Sequence, residues 1–140
     1  MGKPSSSKAK GRRLQNYVRD ALRKVFIDDC GLIPRLEEDD IKSQTMGMTG
    51  EDIVLSPAAR KRIPYSFECK NVEKLNIWDA LEQAAKNAQE YDPVVIIKRN
   101  RTKVYAVMEF DAWIELTRSI INAGHVKKRT RRHADNSDAD

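Results

Sequence analysis

Cysteine and histidine are scarce in this chain of 140 residues. Cys30 and Cys69 are too few for a disulfide framework and lack the paired spacing of zinc ligands. The two histidines, His125 and His133, lie near or in the C-terminal tail. A reducing cytoplasmic setting without structural zinc is the expectation. No run of about 18 apolar residues occurs, which excludes a membrane-spanning helix. The first residues, MGKPSSSKAKGRR, are basic but lead into an amphipathic pattern rather than an apolar core and cleavage site. That pattern excludes a secretory signal. No internal repeat is visible. With 40% apolar residues, the chain is long enough for one compact domain and too short for two.

The net charge of +5 is unevenly distributed. Residues 1–13 carry five basic groups (Lys3, Lys8, Lys10, Arg12, Arg13), and residues 127–132 carry five more (Lys127, Lys128, Arg129, Arg131, Arg132). Between them, residues 14–126 hold 16 basic and 18 acidic side chains, a slightly acidic body between basic arms. Polycationic arms point to a polyanionic partner, nucleic acid being the first candidate. The chain divides into a disordered basic leader (1–9), one domain (10–124) and a disordered basic and acidic tail (125–140).

Apolar residues at Leu14, Tyr17, Val18, Ala21, Leu22, Val25 and Phe26 predict an amphipathic helix with Gln15 and Arg19 on the margin of its buried face. Gly31 and Pro34 close it. The cluster Glu37, Glu38, Asp39, Asp40 reads as a solvated turn, and residues 41–49 as a short strand followed by a mobile loop. A second helix carries Ile77, Trp78, Leu81, Ala84, Ala85, Ala88 and Tyr91 as its apolar stripe, with Gln83 at the border and Trp78 in the core or at a dimer interface. Val94–Ile97 is a strand covered on both faces, and Lys103–Met108 returns beside it after a tight turn. A last helix starts at Asp111 as N-cap and stops at Gly124.

The chemistry is concentrated between Gly50 and Asn71. Residues 52–56 and 65–70 have strand character and are separated by a basic, proline-containing connection, which predicts a strand pair. Period-2 geometry sets Glu68 and Lys70 on one face and Phe67 and Cys69 on the other. Pairing would bring Asp52 toward Glu68. Two converging carboxylates repel unless a cation lies between them, and a hard oxygen-seeking ion such as Mg2+ suits that place. Glu51, adjacent to Asp52, is an extra ligand or a solvated neighbour, and because adjacent strand residues face opposite ways the second reading is favoured.

An acidic residue opening one strand, a Glu-x-Lys triplet on the next, a helix on each side and basic arms resemble the PD-(D/E)xK nuclease superfamily. Within it the chain resembles the small archaeal and phage Holliday-junction resolvases, over roughly residues 10–118. Lys10-Gly11 matches the basic-glycine start of their first helix, Ser43 and Gly47 match the loop, and Asp52, Glu68 and Lys70 match the catalytic places. Four residues past Gly11, where these resolvases carry an acidic residue, stands Gln15.

The resemblance implies a restriction-endonuclease-like three-layer α/β/α sandwich with a mixed central β-sheet. It implies a homodimeric, metal-dependent endonuclease cutting four-way DNA junctions. Asp52, Glu68 and the backbone carbonyl of Cys69 would hold Mg2+, with Mn2+ as the alternative; Lys70 would orient water and offset transition-state charge, and Gln15 would hold a metal-bound water. Nucleic-acid contacts are expected from Lys10, Arg12, Arg13, Ser43, Arg60, Lys61, Arg62, Asn71, Lys127, Lys128 and Arg129. Two alternatives stay open: a non-specific or restriction-type nuclease, and a non-catalytic nucleic-acid-binding protein on the same fold.

Overall fold

A computed structural model describes residues 6–124. The first helix, α1 (Ser7–Arg23), begins earlier than expected because the Ser6 side chain caps it, accepting the Ala9 N–H at 3.1 Å. A π-helical segment, Lys24–Asp29, continues it. Leu14, Gln15 and Val18 form its buried stripe. Tyr17 and Val25, read as part of that stripe, are exposed. The acidic cluster makes a 3-10 turn, Glu38–Asp40, tied down by a 2.5 Å hydrogen bond from Ser56 Oγ to Asp40.

Two short strands follow, β1 (Ile41–Ser43) and β2 (Ile53–Leu55), and they pair with each other, antiparallel, Ile41 opposite Leu55. This corrects the expected pairing of the Asp52 strand with the Glu68 strand. The connection instead folds into a short helix, α2 (Pro57–Arg60), capped by Ser56 with proline in its first turn. It delivers the chain to β3 (Tyr65–Asn71), whose ladder is taken by β4 (Asp92–Lys98) in parallel register, Asn71 opposite Lys98. A parallel pair needs a crossover, and α3 (Ile77–Ala88) supplies it. An antiparallel strand, β5 (Tyr105–Met108), completes a mixed three-stranded sheet of order β3-β4-β5.

The three layers follow from strand parity. Phe67, Cys69, Val94 and Ile96 face α1 and join Leu14, Val18, Ile41, Ile53 and Ile63 in the main core. Val95 and Ile97 face the other way, onto Ala80, Ala84 and Leu81 of α3, whose alanines four apart let the helix lie close to the sheet. Ile41, Ile53, Ile63 and Val95 are fully buried, each contributing about 1.5–3 kcal/mol by removal from water. The architecture is the α/β sandwich with mixed sheet that the sequence implied.

The last helix, α4 (Phe110–Asn122), starts at Glu109 as N-cap rather than Asp111, which lies in its first turn where a carboxylate complements the helix dipole. Only Ala112 of α4 is buried; Phe110, Trp113, Leu116, Ile120 and Ile121 are exposed. Trp78 is 77% exposed, so of the two readings of its stripe, core or dimer interface, the core is excluded.

Candidate active site

Three elements and one loop meet at the free edge of β3. The Asp52 N–H donates to the Phe67 carbonyl at 2.9 Å, and the Cys69 N–H donates to Asp52 Oδ2 at 2.6 Å. These two bonds hold Asp52 against β3 although β2 itself pairs elsewhere. Because the N–H and C=O of one strand residue point to the same edge, the Cys69 carbonyl faces this side too.

Glu68 and Lys70 share the α3 side of β3, as parity requires, with Lys70 Nζ 3.7 Å from Glu68 Oε1. The Glu68 side chain is only 5% exposed, whereas a surface ion pair would leave both groups in water. Helix α3 supplies two supports: Lys70 Nζ donates to Gln83 Oε1 at 3.0 Å, and Asn87 Nδ2 reaches Glu68 Oε2 at 3.5 Å and the Gly50 carbonyl at 3.3 Å. Two residues of strand advance about 6.8 Å and four residues of helix about 6 Å, so a Glu-x-Lys strand and a Gln-x-x-x-Asn helix running oppositely stay in step. Asn87 was missed from the sequence. The signal for it was that i, i+4 polar pair beside an alanine stripe.

Gln15 is buried on α1 rather than at the margin. Its side chain hydrogen-bonds Asp52, while its Oε1 is a buried oxygen with no hydrogen-bond partner. Burial raises the Asp52 carboxyl above its ordinary value, against the lowering effects of the Cys69 N–H, Lys70 and Gln15. Burial, and then the charge of Asp52, raise Glu68, with Lys70 and Asn87 opposing. Burial also pushes the Cys69 thiol well above its usual range, with Asp52 and Glu68 adding to the effect, so Cys69 stays protonated in the core as a small hydrophobe.

A hard divalent cation fits these donors. Two crowded carboxylates, each made harder to ionise by burial, and a buried carbonyl oxygen without a donor are all oxygen ligands awaiting positive charge. Among the described residues no group of three His, Cys, Asp or Glu comes together, so such a site relies on two carboxylates and uncharged oxygens.

A comparison with family models decides the affiliation. The model described as "Phage putative PDDEXK endonuclease" matches residues 6–139. The chain belongs to this phage endonuclease family. Neither the search of curated proteins nor that of solved structures gave a match. Membership assigns the chain to the PD-(D/E)xK nucleases.

The expected DNA contacts divide sharply. Arg12, Arg13 and Lys61 are exposed. Lys10 Nζ bonds Asn100 Oδ1 at 2.8 Å, and Ser43 Oγ donates to Asn16 Oδ1 at 2.9 Å. Arg60 is committed within the protein: it pairs with Glu51, donates to the Tyr65 carbonyl at 3.1 Å and stacks 4.2 Å over the Tyr91 ring. Glu51 in turn accepts Ser66 Oγ at 2.9 Å, which makes it a structural partner rather than a solvated neighbour. Arg62 donates to the Pro34 carbonyl at 2.5 Å, and Asn71 is buried with its Nδ2 on the Lys10 carbonyl at 3.2 Å. Arg60 and Asn71 thus lack the exposure that a phosphate contact needs, because local folding uses their polar groups first. Lys127, Lys128 and Arg129 lie outside the described residues.

Proposed function

We propose that this endonuclease hydrolyses DNA phosphodiester bonds with Mg2+ or Mn2+ as cofactor, acts selectively on four-way junctions, and works as a two-fold homodimer. The observation that carries the chemistry is a buried Glu68 that feels the charge of the half-buried Asp52, with Lys70 held at 3.7 Å from Glu68. Asp52, Glu68 and the Cys69 carbonyl would hold the ion, and the Gln15 carbonyl would hold a water beside it. The bound ion supplies Lewis acidity and an acidified water.

The protein's own contribution is placement and charge. Gln83 accepts a hydrogen bond from one N–H of the Lys70 ammonium, leaving the others to hydrogen-bond the attacking water and a phosphate oxygen. Water oxygen bonds to phosphorus and gives up a proton to solvent, the bond to the leaving sugar oxygen breaks, and that oxygen takes up a proton from solvent. The ammonium offsets the charge that grows on the phosphoryl oxygens.

Junction selectivity rests on the resemblance to resolvases. Pairing of two copies is supported by the apolar face of α4, where Phe110 and Trp113 stack at 6.0 Å without core cover. A cleavage assay offering a four-way junction, a Y-fork, linear duplex and single strand, each with Mg2+ and with EDTA, tests the reading. Equal cutting of all four would leave a non-specific nuclease, and no cutting of any would leave a DNA-binding protein. Sedimentation of Trp113→Glu tests the dimer; unchanged mass at equal concentration removes α4 as the interface.

A further inference from the structure

Positive charge in the body of the protein is concentrated where the sequence showed only a turn. Of the 16 basic side chains in residues 14–126, four (Lys98, Arg99, Arg101, Lys103) fall in six consecutive residues containing no acid. Without them that body holds 12 basic against 18 acidic groups, a surface that repels phosphate. The turn joins β4 to β5, and Arg99, Arg101 and Lys103 are exposed.

The turn is also held rigidly. The buried Lys98 ammonium donates to the carbonyls of Thr102 at 2.8 Å and Arg99 at 3.3 Å, and the Arg99 N–H donates to Thr102 Oγ1 at 3.2 Å. Glu73 Oε1 accepts the Asn100 N–H at 3.2 Å. A fixed backbone presents its cations without first having to be ordered, which lowers the cost of binding.

Its position makes the charge useful. Asn71, next to Lys70, pairs with Lys98, so the turn leaves the sheet about 4.8 Å, one strand spacing, from the end of the catalytic strand. Lys10 links α1 to both, with its ammonium on Asn100 and its carbonyl on the Asn71 amide. The exposed Arg13, three residues past Lys10 and so on its side of α1, adds a cation to this end of the sheet from the other end of the sequence. Duplex DNA carries one charge per about 1.7 Å of its axis, so a strand placed for cutting at Lys70 offers further phosphates to this surface.

We propose that the β4–β5 turn, together with the first turns of α1, is a phosphate-binding platform that seats the DNA backbone beside the active site. It rests on the nuclease reading for the identity of the polyanion, and its contacts are independent of base sequence.

The test compares the full-length protein with an Arg99→Gln/Arg101→Asn/Lys103→Gln variant, asparagine being chosen because Arg101 has a φ of +62°. Binding to a 30-base-pair duplex, about three helical turns, is titrated in EDTA over a range of salt. A control variant, Lys24→Gln/Arg35→Gln/Arg118→Gln, removes the same charge elsewhere. The platform predicts at least about a 10-fold loss of affinity and a salt slope flatter by about 2–3 for the turn variant, against a small change for the control. Equal losses in both variants, or no change in the turn variant, would overturn it. So would failure of the wild type to bind DNA. If the turn variant does not fold, amide exchange across residues 98–104 of the wild type decides, with slowing on DNA addition expected and no change overturning the proposal. Wild-type protein that binds through the turn but cuts nothing with metal present would refute the nuclease reading alone.

Discussion

Replacing Glu68 by glutamine should make the metal-free protein more stable while destroying its activity. The Glu68 side chain is 5% exposed, its carboxylate feels the charge of Asp52, and its nearest cation is at 3.7 Å. A buried ion so weakly compensated costs about 1–2 kcal/mol that an isosteric amide avoids. At about 4 °C per kcal/mol for a domain of this size, Glu68→Gln in EDTA should melt about 4–8 °C above wild type. The pH dependence has a defined sign. A carboxyl raised above its ordinary value of 4.5 contributes its full stability below that value and loses it as pH rises through the raised value. Metal-free wild type should therefore lose stability over that window as pH increases, and the variant should lose less. Divalent metal at about 100 times its Kd should add about 2.7 kcal/mol to the wild type, close to 10 °C, and much less to the variant. Differential scanning fluorimetry with Mg2+, Mn2+ and EDTA measures all of this. A variant that melts below wild type in EDTA, or an equal metal shift in both proteins, would refute the argument.

Lys70→Ala should reduce single-turnover cleavage by about 100- to 1000-fold with DNA binding nearly intact; wild-type rates would show that the ammonium does not face the transition state. Gln15→Glu adds a carboxylate beside Asp52 and should tighten metal binding by calorimetry, whereas an unchanged affinity would place residue 15 away from the ion. Removing residues 1–5 and 125–140 deletes six basic and three acidic groups and should flatten the salt dependence of DNA affinity, about 0.9 in slope per lost contact. An unchanged slope would reduce these arms to solubilising segments.

Periodicity and residue type carried much of this molecule in readable form. The stripe from Leu14 to Val18, the parity that puts Glu68 with Lys70 and Cys69 in the core, and the doubly covered Val94–Ile97 strand are all set within a few residues, by rules that need no partner. The choice of partner was another matter. Period 2 says which face a strand buries but not which strand lies beside it, so β2 pairing with β1 became visible only once α2 had redirected the chain. The same limit applied to charge. Arg60 and Arg101 look alike in the sequence, yet one is held by Glu51 and Tyr91 and the other projects from a braced turn. Gln83 and Asn87 acquired meaning from the match between a helical and a strand repeat across a layer boundary. Local chemistry named the carboxylates and the lysine; long-range packing decided how deeply they are buried, and therefore how strongly they call for a cation.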